Sequence, residues 1–363
     1  MIACEDLRLA NCLFEAEFRE AFERVLASGR YISGPELEAL EVSFSEALGL
    51  GRSVGLGSGY DAITISFMAL SITGGEVIVP ANTYMATILA AIRAGLKPVL
   101  CEPDPETLLI DPARLERHLT KRTVALLPVH LYGLACDMDT LTEFAKANRL
   151  VVVEDCAQAA GAGFAGKSVG AFGDAGAFSF YPTKNIGALG DAGLAAFKDG
   201  DRAERAQILR NYGASGRAVA EAVGFNSRLD ELQAAFLRVK LRHLDEITEA
   251  KNRLAAFYDE NLHASFKRPA VIPGSSPARS LYVVTHPKRD ELRAFLFERG
   301  ISTDVHYPVP PHRQRAIAPY ADEGYPVTEK ICAEIVTLPF SLGHTQDDVE
   351  RVVEEMNRFA AFP

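Results

Sequence analysis

The segment Leu150-Val151-Val152-Val153-Glu154-Asp155 is an apolar run that ends in two carboxylates. A short apolar run of branched residues bounded by charge predicts a buried strand, and this places Asp155 at the carboxyl end of that strand. Further along, Ser179-Phe180-Tyr181-Pro182-Thr183-Lys184-Asn185 puts a lysine on a loop between the strand-like segment 175–181 and the glycine-punctuated segment 187–193. The chain therefore offers a fixed carboxylate and a loop amine.

These are the two groups that a pyridoxal phosphate enzyme needs. A lysine amine condenses with the cofactor aldehyde as a Schiff base, and a carboxylate pairs with the pyridine nitrogen, which keeps the ring protonated and able to accept electrons. Taken alone, Asp155 and Lys184 are more often a capping carboxylate and a solvated lysine. Solvated lysines rarely sit between a buried strand and a glycine loop, so the surroundings of Lys184 favour covalent amine chemistry.

Composition limits the class of protein. With 363 residues and 48% hydrophobic content, the chain can bury a large core. We expect a large domain over residues 1–245, which binds the cofactor and includes the N-terminal helices, and a small C-terminal α/β domain over residues 246–363. The formal net charge of −10 argues against a nucleic-acid surface, since phosphate binding by Lys and Arg needs a basic face.

Cysteine usage and the N-terminus bear on the compartment. The six cysteines show neither paired metal spacing nor the density of a secreted scaffold, so we expect no metal site and a reducing cytoplasm; they are Cys4, Cys12, Cys101, Cys136, Cys156 and Cys332. The start of the chain lacks the features of a signal peptide, and no apolar run is long enough to span a bilayer. We therefore expect a soluble protein with no membrane partner.

Strand-like and helical segments alternate from Val54 onward, which predicts a mainly parallel sheet covered by helices on both faces. Ser33-Gly34-Pro35 predicts the start of a helix with a cap and a first-turn proline. The segment 124–131 is predicted as a strand, and the segment 229–257 as one long helix that leads out of the core.

Three further elements fit a cofactor phosphate or ring. Gly55-Leu56-Gly57-Ser58-Gly59-Tyr60 places glycines and a serine at a strand-to-helix junction, where free amides and the helix dipole favour an anion. A plain structural turn accounts for that segment about as well. Ser179 could supply a hydroxyl to the same phosphate or be a buried serine bonded to backbone, and Tyr84 could stack on the ring or be core. Each of these three signals is weak alone, and only their occurrence together favours a cofactor site.

At this point the sequence resembles the nucleotide-sugar aminotransferases, the DegT-type branch of the fold type I pyridoxal phosphate enzymes. The likeness runs from about Glu36 to the carboxyl terminus and implies an α/β fold whose large domain holds a mainly parallel seven-stranded sheet between helices. The motifs that carry it are Gly57-Ser58-Gly59-Tyr60-Asp61-Ala62, Pro128-Val129-His130-Leu131-Tyr132-Gly133, Val153-Glu154-Asp155-Cys156-Ala157-Gln158-Ala159, Ser179-Phe180-Tyr181-Pro182-Thr183-Lys184-Asn185, Leu209-Arg210-Asn211-Tyr212-Gly213, Gly224-Phe225-Asn226-Ser227-Arg228-Leu229-Asp230-Glu231 and His306-Tyr307-Pro308-Val309-Pro310.

The resemblance implies roles for individual residues. The catalytic pair is Lys184, which binds the cofactor covalently, and Asp155, which pairs with the pyridine nitrogen. The other cofactor ligands implied are Ser58, Gly59, Tyr60, Tyr84, Gln158, Ser179 and Asn226. Family members commonly have threonine where this chain has Tyr60, so we expect the backbone amides rather than that side chain to bind there. Substrate ligands are Arg228, His306 and Tyr307, and Asn226 and Arg228 reach the site from the partner chain of a homodimer with shared active sites.

The implied activity is transamination of a nucleotide-linked keto-sugar with L-glutamate as donor, and pyridoxal 5'-phosphate alternates with pyridoxamine 5'-phosphate. Proline after His306-Tyr307 resembles enzymes of 3-keto sugars, so we expect a dTDP-3-keto-6-deoxyhexose substrate and a 3-amino-3,6-dideoxyhexose product for glycan or natural-product biosynthesis. The alternatives are a C4-aminotransferase acting on a UDP- or dTDP-4-keto sugar, a pyridoxal-phosphate-dependent sugar dehydratase, and a non-enzymatic regulator on the same fold. The presence of Lys184, which some dehydratase relatives replace with histidine, favours the aminotransferase.

Overall fold

The computed structural model describes residues 1–216, 219–321 and 324–361. The strands, in chain order, are β1 Arg52–Leu56, β2 Glu76–Pro80, β3 Lys97–Cys101, β4 Thr123–Leu126, β5 Val151–Asp155, β6 Gly163–Phe164, β7 Lys167–Ser168, β8 Ala175–Ser179, β9 Gly193–Phe197, β10 Ser275–Ser276, β11 Tyr282–Thr285 and β12 Ile335–Leu338. The α-helices are α1 Leu7–Cys12, α2 Glu15–Ser28, α3 Pro35–Leu48, α4 Gly59–Ala69, α5 Met85–Arg93, α6 Met138–Asn148, α7 Gly200–Arg210, α8 Glu231–Arg242, α9 Leu244–Asn261, α10 Arg289–Glu298, α11 Pro326–Glu334 and α12 Gln346–Ala360.

A seven-stranded sheet forms the centre of the molecule, in the order β1-β9-β8-β5-β4-β2-β3. Strand β9 runs antiparallel to both of its neighbours, and the other four neighbouring pairs are parallel. The prediction of an α/β fold with a mainly parallel seven-stranded sheet is therefore confirmed. Strand β5 lies at the middle of this sheet, as its apolar sequence predicts for a strand buried on both faces.

Side chains on β5 alternate between two hydrophobic clusters, one on each face of the sheet. Val152 belongs to the cluster that also contains Phe44 and Phe178, whereas Val153 belongs to the cluster that contains Phe67 and Ile88. Since successive residues of a strand point to opposite faces, this division shows that helices cover both sides of β5. The parallel strands therefore end at a common edge, and Asp155 lies on it.

A smaller two-stranded antiparallel sheet is formed by β11 and β12. It packs with α9, α10 and α12 around a third cluster, which includes Tyr258, Phe266 and Met356. The expected boundary between residues 245 and 246 falls inside α9, and residues 322–323 and 362–363 of the expected small domain lie outside the described residues. The division into two domains stays a prediction.

Two predicted elements differ from the structure. The strand predicted over residues 124–131 ends at Leu126, and a 3-10 turn over Leu131–Gly133 follows. The single helix predicted over 229–257 is two helices, α8 and α9, which meet at His243. Basic residues in the last turn of α8 and acidic residues in the first turn of α9 match the dipoles of two separate helices, so this charge order marks the break.

The predicted start of α3 is correct, but its cap is not local. Gly34 occupies the N-cap position and has no side chain to accept a hydrogen bond. The Glu231 carboxylate accepts instead from the backbone N–H groups of Gly34, Glu36 and Leu37, at 2.8, 2.9 and 3.0 Å. A long-range contact therefore supplies what the sequence assigned to Ser33.

None of the helices in the described part of the chain combines the length and apolar content that a membrane span requires.

Candidate active site

A cavity of about 730 Å³ opens at the edge where β5 and β8 end and where α4 and α5 begin. Ten of the residues predicted to act in the site line it: Ser58, Gly59, Tyr60, Tyr84, Asp155, Gln158, Ser179, Lys184, His306 and Tyr307. These residues come from segments that lie far apart in the sequence, and the sheet edge brings them together. The arrangement follows from the parallel topology, because loops at the carboxyl ends of parallel strands share one side of the sheet.

Lys184 lies on the loop between β8 and β9, and its backbone N–H donates to Tyr181 O at 2.8 Å. The loop is tight, since a Cβ on Gly187 would lie 2.2 Å from Pro182 O. Burial lowers the pKa of the Lys184 ammonium below its ordinary value, and the carboxylates of Asp155 and Glu5 oppose that shift. A lysine with a lowered pKa is a larger fraction neutral amine, which is the form that attacks a carbonyl or accepts a proton.

The residue after Lys184 is fixed by a second lysine. The Asn185 side chain donates to Ala278 O at 2.8 Å and accepts from Lys251 Nζ at 2.9 Å. Lys251 is buried, and burial lowers its pKa to about 8. These contacts anchor the loop immediately beside Lys184.

Asp155 is 3% exposed, and two donors hold its carboxylate. Thr87 Oγ1 donates to Oδ2 at 2.7 Å, and the Ala157 N–H donates to Oδ1 at 3.0 Å. Burial raises the pKa of Asp155 above its ordinary value, while these hydrogen bonds and the Lys184 ammonium oppose the shift. A buried carboxylate of this kind favours a cationic partner such as a protonated ring nitrogen.

Gln158 and Tyr307 are linked across the cavity. Gln158 accepts from the Tyr132 N–H at 2.6 Å and donates to the Tyr307 hydroxyl oxygen at 2.9 Å. The Tyr307 ring stacks on Tyr84, with ring centroids 5.0 Å apart and an interplanar angle of 29°. His306 is held by Thr337 Oγ1, 2.8 Å from its Nδ1, and burial lowers its pKa. This part of the cavity is therefore aromatic and ordered by side-chain hydrogen bonds.

The N-terminus of α4 packs directly against β8 and β9. A Cβ on Gly59 would lie 2.6 Å from Ser179 Cβ, and a Cβ on Gly193 would lie 2.2 Å from the Ser58 carbonyl carbon. Ser58 Oγ accepts from the Asp61 N–H at 3.1 Å, whereas no acceptor among the described residues takes the first-turn N–H groups of Gly59 and Tyr60. Two free amides at the positive end of a helix suit an anion such as a phosphate.

These residues fit the expected pyridoxal phosphate. The amine of Lys184, the carboxylate of Asp155 and the free amides of α4 line one cavity, and they match the aldehyde, the ring nitrogen and the phosphate of that cofactor in chemical type. Tyr84 supplies an aromatic face in the same cavity, and Gln158 supplies an amide.

Asn226 and Arg228 do not line the cavity of their own chain. Asn226 is exposed and pairs through its backbone with Asn211, while Arg228 Nη1 donates to Asn211 Oδ1 at 3.1 Å. Arg228 Nε is buried and has no hydrogen-bond partner among the residues that the structure describes. The two residues that were expected to reach the partner chain's site therefore lie outside the cavity of their own chain.

Several cavity residues were not predicted from the sequence. Thr87 lies one turn after Tyr84 on α5, and that helical spacing is a signal that could have found it. The N-terminal residues Ala3, Cys4 and Glu5 also line the cavity, and nothing in the sequence around them signals this. The remaining polar members are Thr83, Tyr181, Thr183, Asp191, Ser280, Ser302, Asp304 and Thr337.

One group of side chains in the described residues has the composition of a metal site: His130, Glu154 and Cys156. The Glu154 carboxylate already accepts from His130 and from three backbone N–H groups, those of Gly170, Phe172 and Gly173. These bonds tie the segment 170–173 to the end of β5, so the group supports the strand that carries Asp155.

The chain matches the family model described as the DegT/DnrJ/EryC1/StrS aminotransferase family over residues 13–357. It is 45% identical over 361 residues, 99% of each chain, to the dTDP-3-amino-3,6-dideoxy-alpha-D-galactopyranose transaminase of Aneurinibacillus thermoaerophilus.

Solved structures are also similar to this chain. The crystal structure of S. venezuelae DesV in complex with a ketimine intermediate superposes with a TM-score of 0.96 at 42% identity and covers 99% of this chain and 98% of that chain. The structure of NtdA from Bacillus subtilis with bound cofactor PMP has a TM-score of 0.89 at 30% identity and covers 97% of this chain and 83% of that chain.

Proposed function

We propose, from the premise that this chain belongs to the DegT/DnrJ/EryC1/StrS aminotransferase family, that it transfers the amino group of L-glutamate to C3 of a dTDP-linked 3-keto-6-deoxyhexose. The single observation that supports this choice of substrate is a relative named as a dTDP-3-amino-3,6-dideoxy-sugar transaminase, which is 45% identical to this chain over 99% of both chains. The lysine, the carboxylate and the free amides in one cavity support the choice of pyridoxal phosphate chemistry.

The cofactor, when bound, supplies an electron sink that stabilises negative charge at the substrate carbon. In the proposal Lys184 holds it covalently, Ser58, Gly59, Tyr60 and Ser179 of the same chain hold its phosphate, and the partner chain's copy of Asn226 also reaches that phosphate. Asp155 pairs with the ring nitrogen, Gln158 with the ring hydroxyl, and Tyr84 stacks on the ring.

Lys184 is also the proposed proton carrier. Once the amine of L-glutamate has displaced Lys184 from its covalent link, the lowered pKa of the freed lysine favours the neutral amine, which takes the proton from the α-carbon of glutamate. In the second half of the cycle the lysine returns a proton to C3 of the sugar. Thr87 and the Ala157 amide keep Asp155 in place while this happens, because both donate to its carboxylate. His306, Tyr307 and the partner chain's copy of Arg228 bind the nucleotide sugar.

A homodimer with shared sites belongs to the same proposal. The described residues that line the cavity include two basic side chains, Lys184 and His306, although both glutamate and a sugar diphosphate bring negative charge. The Nε atom of Arg228 is buried and has no hydrogen-bond partner among the described residues. This supports Arg228 as the basic group that the second chain supplies. A cytoplasmic location is proposed from the cysteine pattern of the sequence.

The test is a panel of keto-sugar nucleotides incubated with L-glutamate, in which NMR identifies the carbon that carries the new amine. The panel contains the dTDP-linked 3-keto-6-deoxyhexose, its 4-keto isomer and the UDP-linked 4-keto sugar. An amine at C3 and release of 2-oxoglutarate are expected. An amine at C4, or loss of water without amine transfer, would replace the proposal with the C4-aminotransferase or the dehydratase.

The covalent residue is tested separately. We expect borohydride reduction followed by peptide mapping to place the cofactor on Lys184. The Lys184→Ala variant should lose that link, whereas the control Lys121→Ala, at an exposed position outside the cavity, should keep it. An adduct on a different lysine contradicts the assignment.

A further inference from the structure

Ala3, Cys4 and Glu5, near the start of the chain, form part of the cavity wall. Ile2 lies beside Ile301 in a parallel bridge, where its N–H donates to Gly300 O at 2.7 Å and its carbonyl accepts from the Ser302 N–H at 2.8 Å. The Phe340 N–H then donates to Cys4 O at 3.2 Å. These backbone bonds fix the segment up to Cys4 against the region that carries Asp304, His306 and β12.

The chain is fixed again immediately after Glu5. Asp6 is the N-cap of α1, and its side chain accepts from the Leu9 N–H at 2.9 Å. Glu5 therefore lies between two anchored residues, and its backbone has little freedom. A side chain whose backbone is held on both sides presents its carboxylate to the cavity with a small entropic cost.

The Glu5 carboxylate is available to a ligand. Glu5 lines the cavity and is half-buried, and the hydrogen bonds among residues 1–216, 219–321 and 324–361 include none to its carboxylate oxygens. Burial raises the pKa of Glu5, while the ammonium groups of Lys251, Lys184 and Lys240 oppose the shift. A partly desolvated carboxylate without a hydrogen-bond donor gains free energy from any hydroxyl that reaches it.

The wall beside Glu5 is also rich in acceptors. Asp304 lines the cavity with a side chain that is 62% exposed, and its Oδ2 lies 4.0 Å from His306 Nε2. The hydroxyls of Ser302 and Thr337 line the same wall. Two carboxylates next to neutral hydroxyls suit a ligand that offers hydrogen-bond donors and repel one that carries an additional negative charge.

We propose that Glu5 is a substrate-recognition residue of this enzyme: its carboxylate accepts hydrogen bonds from hydroxyl groups of the sugar ring and, together with Asp304, excludes sugars that carry a carboxylate. This inference rests on the proposed function and assigns a residue that selects its neutral hexose over a uronate.

The test compares two stable probes on the cofactor-loaded enzyme by titration calorimetry. dTDP-glucose is neutral in its sugar, and dTDP-glucuronate carries a carboxylate at C6. Wild-type enzyme should bind dTDP-glucose at least about tenfold more tightly, since a charged hydrogen bond is gained in one case and a like-charge contact is made in the other. Glu5→Gln should weaken dTDP-glucose binding by about tenfold and bring the ratio of the two dissociation constants to within about threefold.

Two further variants separate recognition from folding. Asp6→Asn removes one carboxylate from the neighbouring position, which does not line the cavity, and asparagine still caps α1, so the wild-type ratio should persist. Asp304→Asn removes a negative charge from an exposed side chain and should therefore tighten dTDP-glucuronate binding.

The outcomes distinguish failure of the proposed role of Glu5 from failure of the proposed amine transfer. Equal binding of both probes by wild-type enzyme, or an unchanged ratio in Glu5→Gln, overturns the role of Glu5 while C3 amine transfer stands. A lower melting temperature with an unchanged ratio has the same meaning, because it shows that Glu5 only balances the buried lysines. If wild-type enzyme transfers no amine to any keto-sugar nucleotide, the proposed function fails and the role of Glu5 fails with it.

Discussion

Asp155 shows how a single side chain is prepared for its role. Its carboxylate is buried and receives hydrogen bonds from Thr87 and from the Ala157 amide, so both oxygens have fixed positions. Neither donor carries a full charge, and the pKa of Asp155 stays above its ordinary value because burial dominates. A cation placed beside this group is therefore stabilised strongly.

We expect Asp155→Asn to reduce the rate of the half-reaction with glutamate by about two orders of magnitude or more, each worth about 1.4 kcal/mol of barrier. Asparagine keeps the size and can still accept a hydrogen bond, but it cannot hold a protonated ring nitrogen by charge. Stopped-flow absorbance of the cofactor measures the rate. The control is Asp137→Asn, which makes the same chemical change at the N-cap of α6, outside the cavity. A near wild-type rate in Asp155→Asn contradicts its role.

At the scale of elements, α3 and α8 depend on each other through Glu231. This carboxylate is 1% exposed, and three N–H groups at the start of α3 donate to it. A Cβ on Gly34 would lie 2.7 Å from Glu231 Oε2, so glycine is what lets the carboxylate reach the helix end. Helix α3 packs against both α8 and β1, and the end of β1 leads into α4 and the proposed phosphate site.

We expect Glu231→Ala to lower the free energy of unfolding by about 3 kcal/mol, because three buried N–H groups lose a charged acceptor. Chemical denaturation of the cofactor-loaded protein at fixed protein concentration measures the change. Glu38→Ala is the matched control, since it removes an exposed glutamate from the first turn of the same helix. If the two variants lose the same stability, Glu231 is not the cap that holds α3.

In the molecule as a whole, Asn226 and Arg228 lie outside the cavity of their own chain. Tyr212 is 53% exposed, and its ring lies 5.4 Å from the Arg228 guanidinium carbon. Exposed apolar side chains also lie on and between the N-terminal helices, among them Leu13, Phe22 and Leu26. Apolar groups that a single chain leaves in solvent favour association with a second copy, as the proposed dimer requires.

Mixed dimers test this arrangement. Lys184→Ala and Arg228→Ala homodimers should each be nearly inactive, because every site lacks one required residue. A heterodimer of the two has one site with both lesions and one with neither, so about half of the wild-type rate per dimer should return. The two mutants are co-expressed with different tags, purified through both and assayed. A heterodimer that is folded and cofactor-bound but no more active than its parents rules out shared sites.

Sequence patterns were enough to predict the sheet, the buried strand that ends at Asp155 and the loop that carries Lys184. These features follow from apolar runs, glycine positions and charge over a few neighbouring residues, and local patterns of this kind depend little on the rest of the chain. The motifs also selected ten of the residues that line the cavity.

The further residues that join them in the cavity and its supports could be found from the packed fold alone. Thr87 meets Asp155 across 68 positions, and Gly34 meets Glu231 across 197 positions. Glu5 enters the cavity because Ile2 and Cys4 are bonded to residues near 300 and 340. Such contacts form only when the sheet and helices pack together. The sequence around each of these residues is the same whether or not a distant partner lies near it, so it cannot reveal the contact. For that reason the sequence predicted the chemistry of the site, whereas the packed fold determined which side chains form its walls and supports.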